Sequence, residues 1–273
     1  MFNFIYYIFT DIDAHLGFKF IYLIEKIIKY PLVLSNRYLK TNFQYPFLIR
    51  EDFYIKNSDW IFLIKAKSWN DYAISTCQEY DFRKYFFTIQ DNKIFLDIWA
   101  HIGKWSILLA NKKNIKTYCF EPNPESYKYL VENIKLNKLE NKITSLNYWV
   151  SEKSWEMKFH IHNESTMSWL VLENSQDSYT KSSIISVKTI SIDTFIKDKQ
   201  LNIQDIGLIK IDVEGYEKGV IEWMKNLLEN TSPDLKIICE ITSNDKDIII
   251  NKICSYWFSV QAIWVQDYFF SKK

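Results

Sequence analysis

The 273-residue chain is 48% hydrophobic, enough for one large α/β domain plus an N-terminal extension and too apolar for a disordered protein. Its 34 Lys and Arg balance 33 Asp and Glu, and a net charge of +1 gives no field for steering a polyanion, so nucleic acid is not expected as a partner. Cys77, Cys119, Cys239 and Cys254 are widely spaced, with no CxxC pair or His-rich cluster, which argues against a zinc site or any other metal and reads as reduced core thiols of a cytoplasmic protein.

Residues 1 to about 45 read as helical. The first thirty are apolar and aromatic, but Asp11, Asp13, His15 and Lys19 interrupt any run that would span a bilayer, so no transmembrane segment is expected. A basic leader and a small-residue cleavage site are both missing, so no secretion signal is read. From Phe18 to Tyr30 apolar residues recur at helical spacing, which fits a helix packed on the main domain, with peripheral membrane contact through residues 1–30 as the alternative. Residues 47–76 alternate as short strands with turns at Asp59-Trp60 and Ser68-Trp69, and Glu79–Phe87 reads as a helix. Residues 1–80 are thus expected to form a helical and β-hairpin extension packed on a main domain of residues 81–273.

Glycine and tryptophan are inverted: the chain holds 5 Gly and 10 Trp, against a usual glycine share of about 7%. Several Trp occupy places where the backbone asks for glycine, at Trp60, Trp69, Trp155 and Trp257. Asp59-Trp60 stands where Asp-Gly would make a two-residue hairpin turn, and a Cβ in the left-handed region costs roughly 1–2 kcal/mol. Arginine occurs only at 37, 50 and 83, while Lys, Ile, Asn, Phe and Tyr abound, as an AT-rich coding sequence produces. Together these features fit UGA codons that the source reads as glycine; genuine Trp enrichment is the alternative.

From Lys93 onward, buried apolar runs alternate with amphipathic helices, the pattern of a parallel sheet covered on both faces. Strands are expected at 94–98, 116–120, 143–147, 207–212, 236–241, 258–264 and 267–271, and helices at 103–111, 124–137 and 216–229. Between 150 and 195 short polar pieces (MKFHIH, SIISVKTI) suggest strands and loops inserted at the sheet's carboxyl edge, where open α/β sheets bind ligands.

In IFLDIWAHIGKWSILLA a buried strand ends at Asp97, and a loop leads into a helix that begins near Gly103. With glycine at position 99, two glycines four apart would let the backbone approach a cofactor, and the helix would present free N–H groups there. The spacing is not G-x-G-x-x-G, and acidic Asp97 suits an amino group better than a pyrophosphate. His101 either faces the cofactor or bonds to backbone within this loop. The next strand ends at Phe120, so Glu121 stands where a carboxylate accepts hydrogen bonds from ribose hydroxyls. Pro122 and Pro124 stop that strand and open the following helix.

Four ordered segments, FLDIWAHIGKWS, CFEPNPESYKYLVENIKLN, TISIDTF and LIKIDVEGYE, resemble the FkbM family of methyltransferases over roughly residues 80 to 245. The resemblance implies an α/β Rossmann-like class I methyltransferase fold, with a mostly parallel seven-stranded sheet flanked by helices and S-adenosyl-L-methionine as cofactor. It implies cofactor contacts from Asp97, Trp99, His101, Gly103 and Glu121, and places the adenine near Asn147 to Ser151, including Val150. Family members carry glycine where this chain has Trp99, and commonly where it has Trp149 and Trp223.

LIKIDVEGYEKGVIE sets Lys210, Asp212 and Glu214 at alternate positions at a strand end, so their side chains share a face. The resemblance implies that this segment borders the transferred methyl group, where Asp212 or Glu214 takes a proton from the acceptor hydroxyl and Lys210 pairs with the carboxylate. A structural ion network that fixes the turn is the alternative. Glu217 lies in the first turn of the next helix, favourable for its dipole. His160 and His162 read as exposed strand residues without a third metal ligand, and Asp193 as a turn or helix-capping residue. The expected activity is O-methylation of a hydroxyl on a sugar or other small metabolite, so the partner is a small-molecule or glycan acceptor. The rival readings are a nicotinamide-dependent oxidoreductase and a non-catalytic module whose cofactor pocket Trp99 blocks.

Overall fold

The computed structural model describes residues 52–56, 59–65, 82–151, 156–161, 169–170 and 183–273, and the chain divides into compact units of residues 1–78 and 79–273. The expected N-terminal helix, its membrane-surface alternative, the turn at Ser68-Trp69, Trp155 and His162 lie outside the described residues.

In the first unit, β1 (Phe53–Lys56) and β2 (Ile61–Ile64) pair antiparallel, with Lys56 opposite Ile61. That register leaves four residues in the connection instead of the two-residue turn expected at Asp59-Trp60. Trp60 is not among the residues with positive φ; it is buried, with its ring 4.7 Å from that of Phe62. Trp60 is therefore not held in the left-handed conformation that a two-residue turn would ask of it.

The second unit opens with α1 (Arg83–Phe86), followed by β3 (Ile94–Ile98), α2 (Lys104–Lys112), β4 (Lys116–Phe120), α3 (Pro124–Leu136) and β5 (Ile143–Leu146). After an insert come α4 (Ile192–Asp198), β10 (Ile206–Ile211), α5 (Glu217–Glu222), α6 (Lys225–Asn230), β11 (Lys236–Glu240), α7 (Lys246–Cys254), β12 (Phe258–Ala262) and β13 (Asp267–Lys272). Seven strands join in the order β12-β13-β11-β10-β3-β4-β5, parallel except for β13, which runs against both of its neighbours. This is the mostly parallel seven-stranded sheet expected, a doubly wound order with one antiparallel strand let in near its end. Every residue of β10 is buried, as a central strand covered on both faces requires. Phe95, Leu96, Phe120, Ile209, Ile237 and Phe270 are among the core residues, and Cys119 and Cys239 are buried free thiols.

The insert builds its own sheet from β6 (Trp149–Val150), β7 (Glu156–Ile161), β8 (Trp169–Leu170) and β9 (Ser183–Ile190), in the order β6-β9-β7-β8. Since β6 begins three residues after β5 ends, this sheet leaves the main one at its carboxyl edge. His160 pairs within β7 opposite Trp169 and Ile184.

The helix expected over 216–229 is two helices, α5 and α6, which part at Trp223 and Met224. Asp193 stabilises the restart: its carboxylate accepts the N–H groups of Asn226 (2.9 Å) and Leu227 (3.0 Å), satisfying donors that a helix N-terminus leaves open. It caps a neighbouring helix, whereas Ser191 caps its own helix, α4. Among the described residues no helix is long and apolar enough to cross a membrane, and no group of His, Cys, Asp and Glu forms a metal cluster.

Candidate active site

Strand order reverses between β3 and β10, because β4 and β5 extend to one side of β3 and β10 and β11 to the other. Ligands of open α/β sheets bind outside the carboxyl ends at such a point. There Asp97 and Lys210 are register partners, with Lys210 Nζ 3.9 Å from Asp97 Oδ1 and 3.0 Å from Asp212 Oδ2. Two of the three predicted charges of the LIKIDVEGYE segment are thus linked, and Asp97 is joined to them.

Asp97 is 1% exposed. Its Oδ2 accepts a 2.6 Å hydrogen bond from Ser106 Oγ of α2, and no hydrogen bond reaches its Oδ1 among the described residues. Burial raises its pKa, opposed by the Lys210 charge and the Ser106 hydrogen bond. A buried carboxylate oxygen left without a donor is costly. An incoming ammonium group is the chemistry that would satisfy it.

The loop from β3 to α2 is held at several points. The N–H groups of Trp99 and Ala100 both donate to the Phe120 carbonyl at 2.9 Å, and Gly103 N–H donates to the Ala100 carbonyl at 2.8 Å. Trp99 (φ 69°), His101 (φ 53°) and Gly103 (φ 92°) are all left-handed. For the two with a Cβ this conformation costs roughly 1–2 kcal/mol each. At Gly103 a Cβ would also come within 2.6 Å of Leu130 Cδ1. Gly103→Ala is expected to destabilise the protein by about 1–3 kcal/mol, read as a lower urea midpoint at unchanged slope.

Glu121 follows β4 and is 1% exposed. Its Oε2 accepts His101 N–H at 2.8 Å and its Oε1 accepts Asn123 N–H at 2.9 Å, so the carboxylate ties the loop after β3 to the loop after β4. Burial pushes its pKa up to about 7, against the lowering effects of His101 and these two hydrogen bonds. The His101 amide holds Glu121 of the neighbouring loop, and its side chain is buried. Asn147 Nδ2 donates to the Glu121 and Pro122 carbonyls at 2.7 and 3.1 Å, and Val150 is buried in β6 beside it. Asp97, Trp99, His101, Gly103, Glu121, Asn147 and Val150 therefore gather along the ends of β3, β4 and β5.

Across the switch point, Glu214 sits left-handed (φ 48°) in the turn after β10. Its side chain reaches solvent, yet loss of water from its surroundings, followed by the charges of Asp212 and Glu217, pushes its pKa up to about 7. Glu217 is fully buried; its Oε1 accepts Gly215 N–H at 2.7 Å and the Thr242 hydroxyl at 3.2 Å, which fixes the turn. Tyr216 Oη lies 3.1 Å from Ser151 Oγ, linking this turn to the end of β6.

Glu240, Asp267, Ser106 and Trp105 belong to this region without having been singled out from sequence. A cleft is lined by Phe86, Trp105, Lys210, Asp212, Glu240 and Asp267, among others. Trp105 stacks on Phe86 at 3.7 Å with planes 5° apart. Burial and the neighbouring Asp212 and Asp267 charges raise the pKa of Glu240. A signal did exist: IFLD, YCFE, LIKID and IICE each close a buried apolar strand with an acid, and all four acids stand at one edge of the sheet.

Comparison with known proteins fits this geometry. The model of the methyltransferase FkbM domain matches residues 97–259. Hexuronic acid methyltransferase AglP of Haloferax volcanii is 24% identical over 143 residues, which is 52% of this chain and 54% of that protein. The tRNA (guanine(37)-N(1))-methyltransferase Trm5b of Methanocaldococcus jannaschii is 30% identical over 131 residues, covering 48% of this chain and 37% of that protein. The chain thus spans about half the length of the first relative and less of the second. The crystal structure of Trm5b from Pyrococcus abyssi superposes with a TM-score of 0.45 at 15% identity, covering 81% of this chain and 55% of that one. The domain match extends over more than half of the sequence and begins at Asp97 itself, so the nicotinamide-dependent alternative falls away and the chain belongs to the FkbM methyltransferase family, whose cofactor is S-adenosylmethionine.

Proposed function

We propose that this protein transfers a methyl group from S-adenosylmethionine to a hydroxyl oxygen of a neutral sugar or similar small polyol. The cofactor supplies an activated methyl group on a sulfonium, which leaves the protein to bind, align and move one proton. Asp97 Oδ1, buried and without a hydrogen bond, suits the cofactor's amino group; Glu121 suits the ribose hydroxyls, and Asn147 to Val150 wall the base. Lys210 pairs with Asp212 at 3.0 Å, and Glu214 takes the acceptor proton, because a base with pKa near 7 combines availability with strength.

The observation that carries the acceptor class is the lining of the cleft: Phe86 and Trp105 supply apolar edges, while Asp212 and Asp267 supply hydrogen-bond acceptors and negative charge beside Lys210. A ring of hydroxyl groups suits both. A phosphate backbone or a free carboxylate meets repulsion from the same acids, so neutral sugars are favoured over RNA and over uronates, although AglP acts on a hexuronic acid. The test is transfer of a radiolabelled methyl group, by the Trp99→Gly protein, to neutral oligosaccharides, uronate-containing oligosaccharides and a tRNA transcript. Label in the neutral sugars is expected; label chiefly in the tRNA or the uronate would overturn the acceptor assignment.

A further inference from the structure

Trp99 is the residue of this edge whose side chain conflicts with the cofactor reading. Its indole is 6% exposed and stands edge-on to Trp149, with ring centroids 4.8 Å apart. Trp149 in turn meets the ring of Tyr216 at 5.6 Å. The three rings run from the loop after β3, across the segment after β5, to the turn after β10. The indole thus fills the space between the loop after β3 and Trp149 of β6, beside the edge where Asp97 and Glu121 stand.

The backbone at this position is pinned. Trp99 N–H donates to the Phe120 carbonyl at 2.9 Å, and its carbonyl accepts Lys210 Nζ at 3.2 Å. Opening the space therefore requires the side chain, not the loop, to leave. The left-handed φ of 69° makes the same demand from the backbone side, since glycine alone adopts it freely. Trp257 shares this conformation (φ 67°), but it is 76% exposed and precedes β12 at the amino edge of the sheet, the end opposite the site.

We propose that Trp99 plugs the cofactor cleft, and that glycine at position 99 is the form in which this site opens and the loop relaxes. The proposal rests on the cofactor reading above. Trp257, at the other end of the sheet, serves as the control for the backbone effect alone.

The test is calorimetric titration of S-adenosylhomocysteine into the full chain and into Trp99→Gly, Trp99→Ala and Trp257→Gly variants. Trp99→Gly is expected to bind at least about tenfold more tightly than the tryptophan form. Trp257→Gly is expected to raise the melting temperature by roughly 2–4 °C while leaving affinity unchanged. Trp99→Ala, which keeps a Cβ, carries the binding test if the glycine variant fails to fold. Equal affinity of the Trp99, Gly and Ala forms overturns the plug and leaves the cofactor reading standing. Folded Gly and Ala variants that bind no S-adenosylhomocysteine overturn both.

Discussion

Glu214→Gln is expected to lower kcat by about 10²–10⁴-fold while leaving S-adenosylhomocysteine affinity within about twofold. The carboxylate has a pKa of about 7, raised by loss of water around it and then by Asp212 and Glu217, so it gains basicity where an enzyme can use it. Asp212 is the weaker candidate, because Lys210 already engages its carboxylate at 3.0 Å. The pH dependence distinguishes the two. A base must be ionised to act, so kcat/KM should climb as pH rises through about 7, and this limb should disappear in Glu214→Gln. If Asp212→Asn removes the limb and Glu214→Gln leaves it, the roles are reversed. Stability should run the other way. Glu121 and Glu214 both have folded-state values of about 7, above those of the unfolded chain, so the folded state binds more protons and stability falls as pH rises toward 7.

Asp97→Ala should weaken S-adenosylhomocysteine binding by about 10–150-fold, the equivalent of a charge-assisted hydrogen bond of roughly 1.5–3 kcal/mol. The effect falls on binding because Oδ1 is the oxygen without a hydrogen bond, while Oδ2 already serves Ser106. The substitution strands that hydroxyl, and Lys210 keeps Asp212 at 3.0 Å, so the protein should still fold. Ser106→Ala is the companion measurement: it leaves Oδ1 in place and should lower affinity less than Asp97→Ala. Equal losses in the two variants would mean that Asp97 positions α2 instead of contacting the cofactor.

The main sheet was legible because its strands are buried on both faces. IFLDI, KTYCF and IGLIKI are apolar runs of strand length, and an acid stands at or just beyond the end of each. The cofactor edge was legible for a related reason, since an acid that closes such a run must stand at the carboxyl end of the sheet. Glu240 obeys the same rule and was passed over because IICE is followed by no recognisable turn motif. Ser106 and Asp267 reach the site only through folding, one from the first turn of α2 and the other from an antiparallel strand entering from the far side. The break between α5 and α6 was also hidden, because the capping group that stabilises the second helix is Asp193, over thirty positions away. Helix α7 was overlooked where its run of isoleucines resembles a strand. Tryptophan context gave mixed guidance: Trp257 is left-handed as expected, whereas Trp60, in a longer connection, is not.

The most direct test is a crystal structure of the Trp99→Gly protein with S-adenosylhomocysteine. The account predicts its amino group within about 2.7–3.2 Å of Asp97 Oδ1, its ribose against Glu121 and its base beside Asn147 to Val150. A cofactor bound at another edge of the sheet, or at this edge with Asp97 and Glu121 untouched, would contradict it.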